Sequence, residues 1–319
     1  MITLAEAKAT MVDPVDQQVI DEFRRSSFLM DRMPFANDVA PTTGGATLVY
    51  GYSKLETPSS ASFRKINGKY VADEAKRKRV NAYLKIMGGN FEIDRVLIGS
   101  SGALDELNFQ MTQKIDATTN LFHYAVINGD STKEDEFDGL KKLLKGASTE
   151  VTTDSDLSTS ALMDTNYNHF LDEVTEFMGK LAKKPDLLLM NSTMKTKMKN
   201  VARRAGYYSQ TEDAFGRSVD NWDGIPMMDM GEYYNAANSK TVPVVEIETD
   251  GTTAIYAVCF GLDAFHGVSL QGENVVTSHL PDLNAPGTVK EGDVEFVGCV
   301  ALKNTLKAGV LKGIKVKGA

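Results

Sequence analysis

Four histidines, two cysteines and a dense run of acids are the residues of this sequence whose types could do chemistry. His123, His169, His266 and His279 stand far apart, with no His-x-x-x-His, His-Glu or Cys-x-x-Cys spacing. Nothing in that spacing announces the three or four converging ligands of a zinc site. Cys259 and His266 could pair as thiol and imidazole, but Cys259 lies in the apolar run Ala-Val-Cys-Phe, and seven residues across a strand end do not fix a base beside it. His266 is expected to pack beside Gly267 at a turn. Cys259 and Cys299 read as small buried hydrophobes of a reducing compartment, with a disulfide as the alternative. The acids Asp130, Glu134, Asp135, Glu136 and Asp138 lack the residue order of an EF-hand loop, which leaves a weak divalent site or an exposed acidic loop. Lys76-Arg-Lys-Arg79 could bind phosphate or serve as a nuclear signal. Asn191-Ser-Thr193 fits a glycosylation sequon, yet it opens a helical run, where an Asn caps. Phosphate-binding glycine loops and the Gly-x-Ser-x-Gly elbow do not occur. The expectation is a chain with no catalytic residue, no metal and no cofactor.

Composition agrees with a globular protein: 319 residues, 42% apolar, 24% charged, with 26 Gly and 9 Pro. Collagen, bulk disorder and a disulfide-built miniprotein are excluded. No run of 18 apolar residues is present, and Met1–Met11 has acids where an export signal has bases, so neither a membrane span nor secretion is expected. The length exceeds what one core usually fills and predicts two sub-domains or one domain with long extensions, the second being preferred. A formal charge of −8 argues against a protein that coats a polyanion.

That charge is unevenly spread. Eight bases and two acids between Arg64 and Lys85 give a local +6, whereas twelve acids and four Lys between Asp130 and Glu176 give −8. Opposite charges at separate places let copies meet head to tail, although solvated faces are the commoner fate of such runs.

The elements that must carry these charges follow from periodicity. A helix is expected from Asp13-Pro14 to about Phe28, and an extended arm after Pro34 and Pro41. Ala46–Lys54 and Val80–Ile86 read as two legs of a hairpin whose tip, Glu56 to Arg79, has no core of its own. Leu104, Leu107, Met111, Ile115 and Phe122 predict a helix roughly 35 Å long ending at Asn128-Gly129. A helix over Leu171–Leu181, an apolar strand ending at Asn191 and a helix from Ser192 to Ala205 suggest a sheet covered by helices. Further strands are expected at Gly224–Met228, Thr241–Ile247, Ala254–Phe260 and Val294–Leu302.

In this order the segments resemble the tailed-bacteriophage major capsid proteins of the Hong Kong 97 type, an α+β fold. Residues 1–45 resemble that family's N-arm, 46–92 its extended E-loop hairpin, and 93–128 its P domain with the long spine helix. Residues 129–290 resemble its A domain, and 291–319 the strands that return to the P domain. Ile127-Asn-Gly-Asp130 and Phe137-Asp-Gly-Leu140 are similar to the turn by which the family leaves the spine helix. Trp222-Asp-Gly-Ile-Pro-Met227 is similar to its Trp-x-Gly-x-Pro turn, which singles out Trp222, Gly224 and Pro226.

The resemblance implies a self-assembling shell subunit that forms hexamers and pentamers of an icosahedral phage head around double-stranded DNA, without reading its sequence. The implied place is the virion capsid, assembled in the host cytoplasm, with portal and possible decoration proteins as partners. Because the arm begins almost at Met1, a scaffold is expected as a separate protein. No covalent cross-link is expected, since Lys290–Val297 offers no Asn. The expected contacts set Arg64, Lys65, Lys69, Lys76, Arg77, Lys78 and Arg79 against Asp130, Glu134, Asp135, Glu136 and Asp138 of a neighbour. An encapsulin-like compartment shell is the alternative, and an α+β enzyme a more distant one.

Overall fold

The computed structural model describes residues 28–39, 48–57, 59–98, 103–206, 209–212, 218–236, 238–270, 277–279, 281–282, 284 and 286–318. The helix expected over 13–28 and the arm from 40 to 45 fall outside this set, save Phe28. In chain order, a short helix α1 (Phe28–Arg32) and strand β1 (Phe35–Ala36) precede a hairpin of β2 (Val49–Thr57) and β3 (Lys76–Tyr83). Then come β4 (Lys85–Asp94), α2 (Arg95–Ile98), the long helix α3 (Ala103–Asn128), α4 (Leu140–Leu143) and β5 (Glu150–Thr152). The pair α5 (Ser160–Gly179) and α6 (Ser192–Arg204) flanks β6 (Leu187–Met190). Ten strands follow: β7 (Ser209–Glu212), β8 (Ser218–Trp222), β9 (Ile225–Asp229), β10 (Glu232–Asn235), β11 (Lys240–Pro243), β12 (Thr252–Val258), β13 (Phe265–Ser269), β14 (Thr277–His279), β15 (Val289–Leu302) and β16 (Ala308–Lys315).

The central sheet runs β5-β16-β12-β6-β9-β8-β7. Its strands alternate sides with period two, and the sequence uses both sides. Leu188, Met190, Met227, Ile255 and Ala257 face a core shared with Met163, Phe170, Val174 and Phe177 of α5 and Met194, Met198 and Val201 of α6. Leu187, Leu189, Met228, Tyr256 and Val258 face the opposite way, into a second core with Phe122 and Val126 of α3 and Phe265 and Phe296. One sheet therefore separates two cores, which is why its strands read as continuous apolar runs.

The second core lies against a smaller sheet in which β15 pairs with β4 along one edge and with β13 and β14 along the other. β4 was expected as part of the hairpin leg. It instead pairs residue for residue with Val289–Gly298 of β15, because Met87, Phe91 and Ile93 point inward where a free hairpin would leave them wet. The remnant of the arm, β1, adds parallel to β13 at Gly267 and Val268.

Helix α3 ends where Asn128-Gly129 predicts, the Gly129 amide donating to Ala125 O at 2.9 Å. The single apolar stripe read from the sequence understates its burial. From Thr118 to Ile127 residues on several sides are buried, Thr118, Asn120 and His123 among them, because the helix is also covered by β10 through a stacked Tyr124–Tyr233 pair. Helix α5 begins at Ser160, eleven residues before the apolar stripe read from the sequence, with Thr159 Oγ1 accepting from the Leu162 amide. Asn191 is a buried cap: its Oδ1 accepts from Met194 N while its Nδ2 donates to Val245 O and Thr253 Oγ1. That geometry fits the capping role, not the sequon.

Candidate functional site

Among the described residues, the hairpin is anchored only at its root. Tyr50 and Tyr52 are buried, Tyr50 meets the His266 ring edge-on with centroids 5.7 Å apart, and its hydroxyl lies 3.2 Å from His266 Nε2. His266 is thus in the interior of β13, not at a turn. Its pKa is pushed down, chiefly by burial.

Beyond the root, residues 59–79 are all exposed. Lys76, Arg77, Lys78 and Arg79, expected in the tip, are strand residues: the ladder runs from Val49↔Tyr83 to Thr57↔Lys76. The loop proper keeps Arg64, Lys65 and Lys69, with Gly68 N donating to Lys65 O and the Arg64 guanidinium 5.3 Å from the centre of the Tyr70 ring. Lys54 and Lys78 are directly opposite across the ladder, a like-charge pair that destabilises an isolated hairpin. Burial and then the Lys78 charge push the Lys54 pKa down. None of Lys65, Lys69, Lys76, Arg77, Lys78 and Arg79 makes an ion pair with a described residue. Phe63, Ile66 and Val71 are 107%, 92% and 87% exposed. The sequence placed this segment outside any core, but the apolar weight of its tip passed unnoticed beside its charge.

The acidic loop is built differently. Asp130 and Asp138 both pair with Lys142, at 2.7 and 2.8 Å, and Lys133 pairs with Glu136 at 2.7 Å. Asp138 also accepts from Ser131 N, and Glu136 from Asp130 N. Lys142 and Thr132 hold the Asp130 carboxyl far below the usual range, and its two acids raise the Lys142 pKa. Where a divalent ion was one reading, a lysine ammonium already sits among the acids. Lys85, from the hairpin's base, donates to Glu134 O. Of the five acids, only Glu134 and Asp135 lack an ion pair with a described residue.

The glycines of the two turn motifs close this elbow. Gly139 N donates to Gly129 O at 2.9 Å, and a Cβ at Gly139 would stand 2.5 Å from Ala125 O, so only glycine lets the chain pass the end of α3. Trp222-Asp-Gly-Ile225 is a two-residue β-turn: Asp223 and Gly224 have φ of 49° and 72°, as a twisted hairpin requires. Trp222 packs edge-on against Phe170, Pro226 lies in β9 opposite Asn221, and Lys184 holds the Asp223 carboxylate at 2.9 Å. These three residues position the β8–β9 corner against α5. Cys259 and Cys299 are free and buried, their thiols pushed up by burial to about 11 and about 12, which leaves little thiolate for nucleophilic chemistry.

The sequence model of the SU10 major capsid protein family matches residues 54–315. The chain belongs to that family. It is a major capsid protein of a tailed phage with the Hong Kong 97-type α+β fold.

Solved structures carry the same fold at low identity. The holo-SrpI encapsulin complex from Synechococcus elongatus aligns with a TM-score of 0.66 and 13% identity over 98% of this chain and 97% of that one. Mycobacterium phage Bobi gives 0.58 and 12% over 98% of both chains. The capsid of Myoviridae phage XM1 gives 0.56 and 15% over 98% of this chain and 99% of that one. No curated protein sequence matches. Encapsulin and phage neighbours share the fold, so the fold alone does not separate them; the family match does.

A further cluster draws its members from separate segments of the chain. Asp154, His169 and Glu173 converge at the outer edge of the central sheet. The one available signal was His169-x-x-x-Glu173, two donors four apart on a helix, but its third member comes from a separate segment.

Proposed function

We propose that this capsid protein forms hexamers and pentamers of an icosahedral head around double-stranded DNA held without sequence recognition, and that the hairpin of each copy lies over its neighbour. Residues 1–45 would act as the N-arm, 46–92 as the E-loop, 93–128 with 291–319 as the P domain and 129–290 as the A domain around the symmetry axes. A separate scaffold, a portal and assembly in the host cytoplasm belong to the same reading.

The observation that carries it is the hairpin, which exposes three apolar side chains and an unneutralised row of bases that no described part of its own chain covers. Exposed apolar groups rimmed by charge mark association surfaces. Self-pairing within the elbow moves the best partner for these bases elsewhere. On the outer face of the β4–β15 sheet, Glu92 stands directly across from Glu291, with Asp293 next along the strand. None of the three makes an ion pair with a described residue. A basic strand laid across this face would relieve like-charge pairs on both sides. Electron microscopy of the expressed protein tests the reading: closed shells are expected, and small soluble oligomers at every concentration would refute it. Nucleic acid inside particles purified from an infected host distinguishes a phage head from a compartment shell.

A further inference from the structure

His169 and Glu173 stand four residues apart on α5, the spacing that puts two side chains on one helix face. Asp154 reaches the same point from the segment after β5, and one donor atom from each of the three lies within 4.8 Å of the other two. His169 Nδ1 is 3.5 Å from Glu173 Oε2. Two ligands of a tetrahedral zinc ion with bonds of about 2.1 Å are about 3.4 Å apart, so this pair already has the separation that one ion imposes.

We propose that Asp154, His169 and Glu173 form a binding site for a divalent transition-metal ion, zinc foremost, with water completing the coordination. An imidazole nitrogen with two carboxylates is a donor set for zinc-like ions, whereas magnesium and calcium prefer all-oxygen surroundings.

The surroundings hold the ligands in place. The hydroxyls of the buried residues Thr153 and Ser155 both donate to Glu173 Oε2, fixing that carboxylate as outer partners fix metal ligands, and the Ser155 oxygen also lies 3.2 Å from His169 Nδ1, a contact that an ion on that nitrogen replaces. The backbone on either side of Asp154 is clamped to β16: Thr153 N donates to Lys312 O at 2.8 Å, and Ser155 O accepts from Lys315 N at 3.0 Å. Asp154 and His169 are exposed, so an ion can enter from solvent. Once bound, it ties the segment after β5 to α5 across the open edge of the sheet. The site owes nothing to the assembly reading.

The test uses the full chain before assembly, equilibrated with zinc chloride at about 100 µM and then analysed for metal and by thermal unfolding. One zinc per chain and a rise in Tm of about 3–5 °C are expected. His169→Ala and Glu173→Gln should each weaken binding by at least about tenfold and remove the Tm shift. His169 is a surface residue, so its variant keeps the native circular dichroism and the loss is not one of folding. His279→Ala, at another exposed histidine, should leave uptake unchanged, and about 10 mM magnesium should not displace the zinc. Wild-type protein without zinc, or His169→Ala protein that takes up zinc as tightly as wild type, overturns the proposal.

Discussion

In the elbow three of the five acids meet their opposite inside the chain: Lys142 lies between Asp130 and Asp138, and Lys133 answers Glu136. Along the hairpin the reverse holds, with Lys54 facing Lys78 and Arg77 and Arg79 on the other side of the same ladder. Both segments are charge runs of similar density. One is a closed structural knot that shapes the end of α3, and the other is left without a counter-charge among the described residues. The difference teaches that a run of like charge marks an interface only when the fold around it withholds the counter-charge. Desolvation and Coulomb energy settle locally in the elbow, whereas no described residue of the same chain relieves the hairpin's repulsion.

The largest expected effect follows from breaking the hairpin side. Replacing Arg77, Lys78 and Arg79 with Glu should abolish shells at moderate salt while leaving the Tm of the unassembled chain within about 1 °C, since surface changes away from a core are nearly neutral. Sedimentation and negative-stain microscopy read the first result, calorimetry the second. Normal shells would show the hairpin to be as self-sufficient as the elbow.

Acid should leave the elbow closed. Asp130 and Asp138 have depressed pKa values, so the stability they contribute is present above the unfolded value near 4 and is lost only as pH falls through the lower folded values. His123 behaves oppositely: buried in α3 with neither ring nitrogen hydrogen-bonded, its pKa is pushed down to about 4 by burial. Below an unfolded value of about 6.5, the unfolded chain takes up a proton that the folded chain refuses. Stability should therefore be flat above that pH and fall by about 3 kcal/mol between pH 6.5 and 4, at about 1.4 kcal/mol per unit. Urea unfolding at several pH values measures the slope, and His123→Leu should flatten it. A slope that survives in His123→Leu would implicate His266, the other buried histidine whose pKa burial pushes down.

A smaller cost is expected from the elbow's glycine. Gly139→Ala brings a methyl group within 2.5 Å of Ala125 O, a backbone atom that cannot swing away. A loss of about 2–3 kcal/mol in folding stability should follow, seen in denaturant midpoints. Gly146→Ala, where a Cβ would meet nothing within 4 Å but φ is 74°, separates clash from backbone strain.

Periodicity and caps made much of this fold legible. The Leu187–Met190 strand, the Asn191 cap and the Asn128-Gly129 stop are local features, dictated by residues within one turn of each other. What stayed hidden depends on distant chain. The first half of α5 is polar because it lies at the surface, so only Met163 and Phe170 betray it. Lys85–Asp94 alternates as either a hairpin leg or an edge strand would, and pairing with β15 two hundred residues later decides between them. The same holds for the sites. The basic run was visible, but that Asp130 and Asp138 are already paired within the chain depends on Lys142, and Asp154 gives no sign in sequence of meeting His169.

The finest discrimination concerns Glu134 and Asp135, the two elbow acids outside the Lys142 and Lys133 pairs. If hairpin bases of a neighbour used the elbow, these two would be the carboxylates left to receive them. If they use the outer face of the β4–β15 sheet, Glu134→Gln with Asp135→Asn should change assembly by less than about twofold in the critical concentration, as exposed pairs are worth under about 1 kcal/mol. Glu92→Gln with Glu291→Gln should then raise it further, and with a weaker dependence on salt than wild type, because fewer screened contacts remain. Equal effects from both double variants would mean that the hairpin touches both surfaces. The reverse ranking would return the contact to the elbow and leave the acidic face of the sheet to another partner.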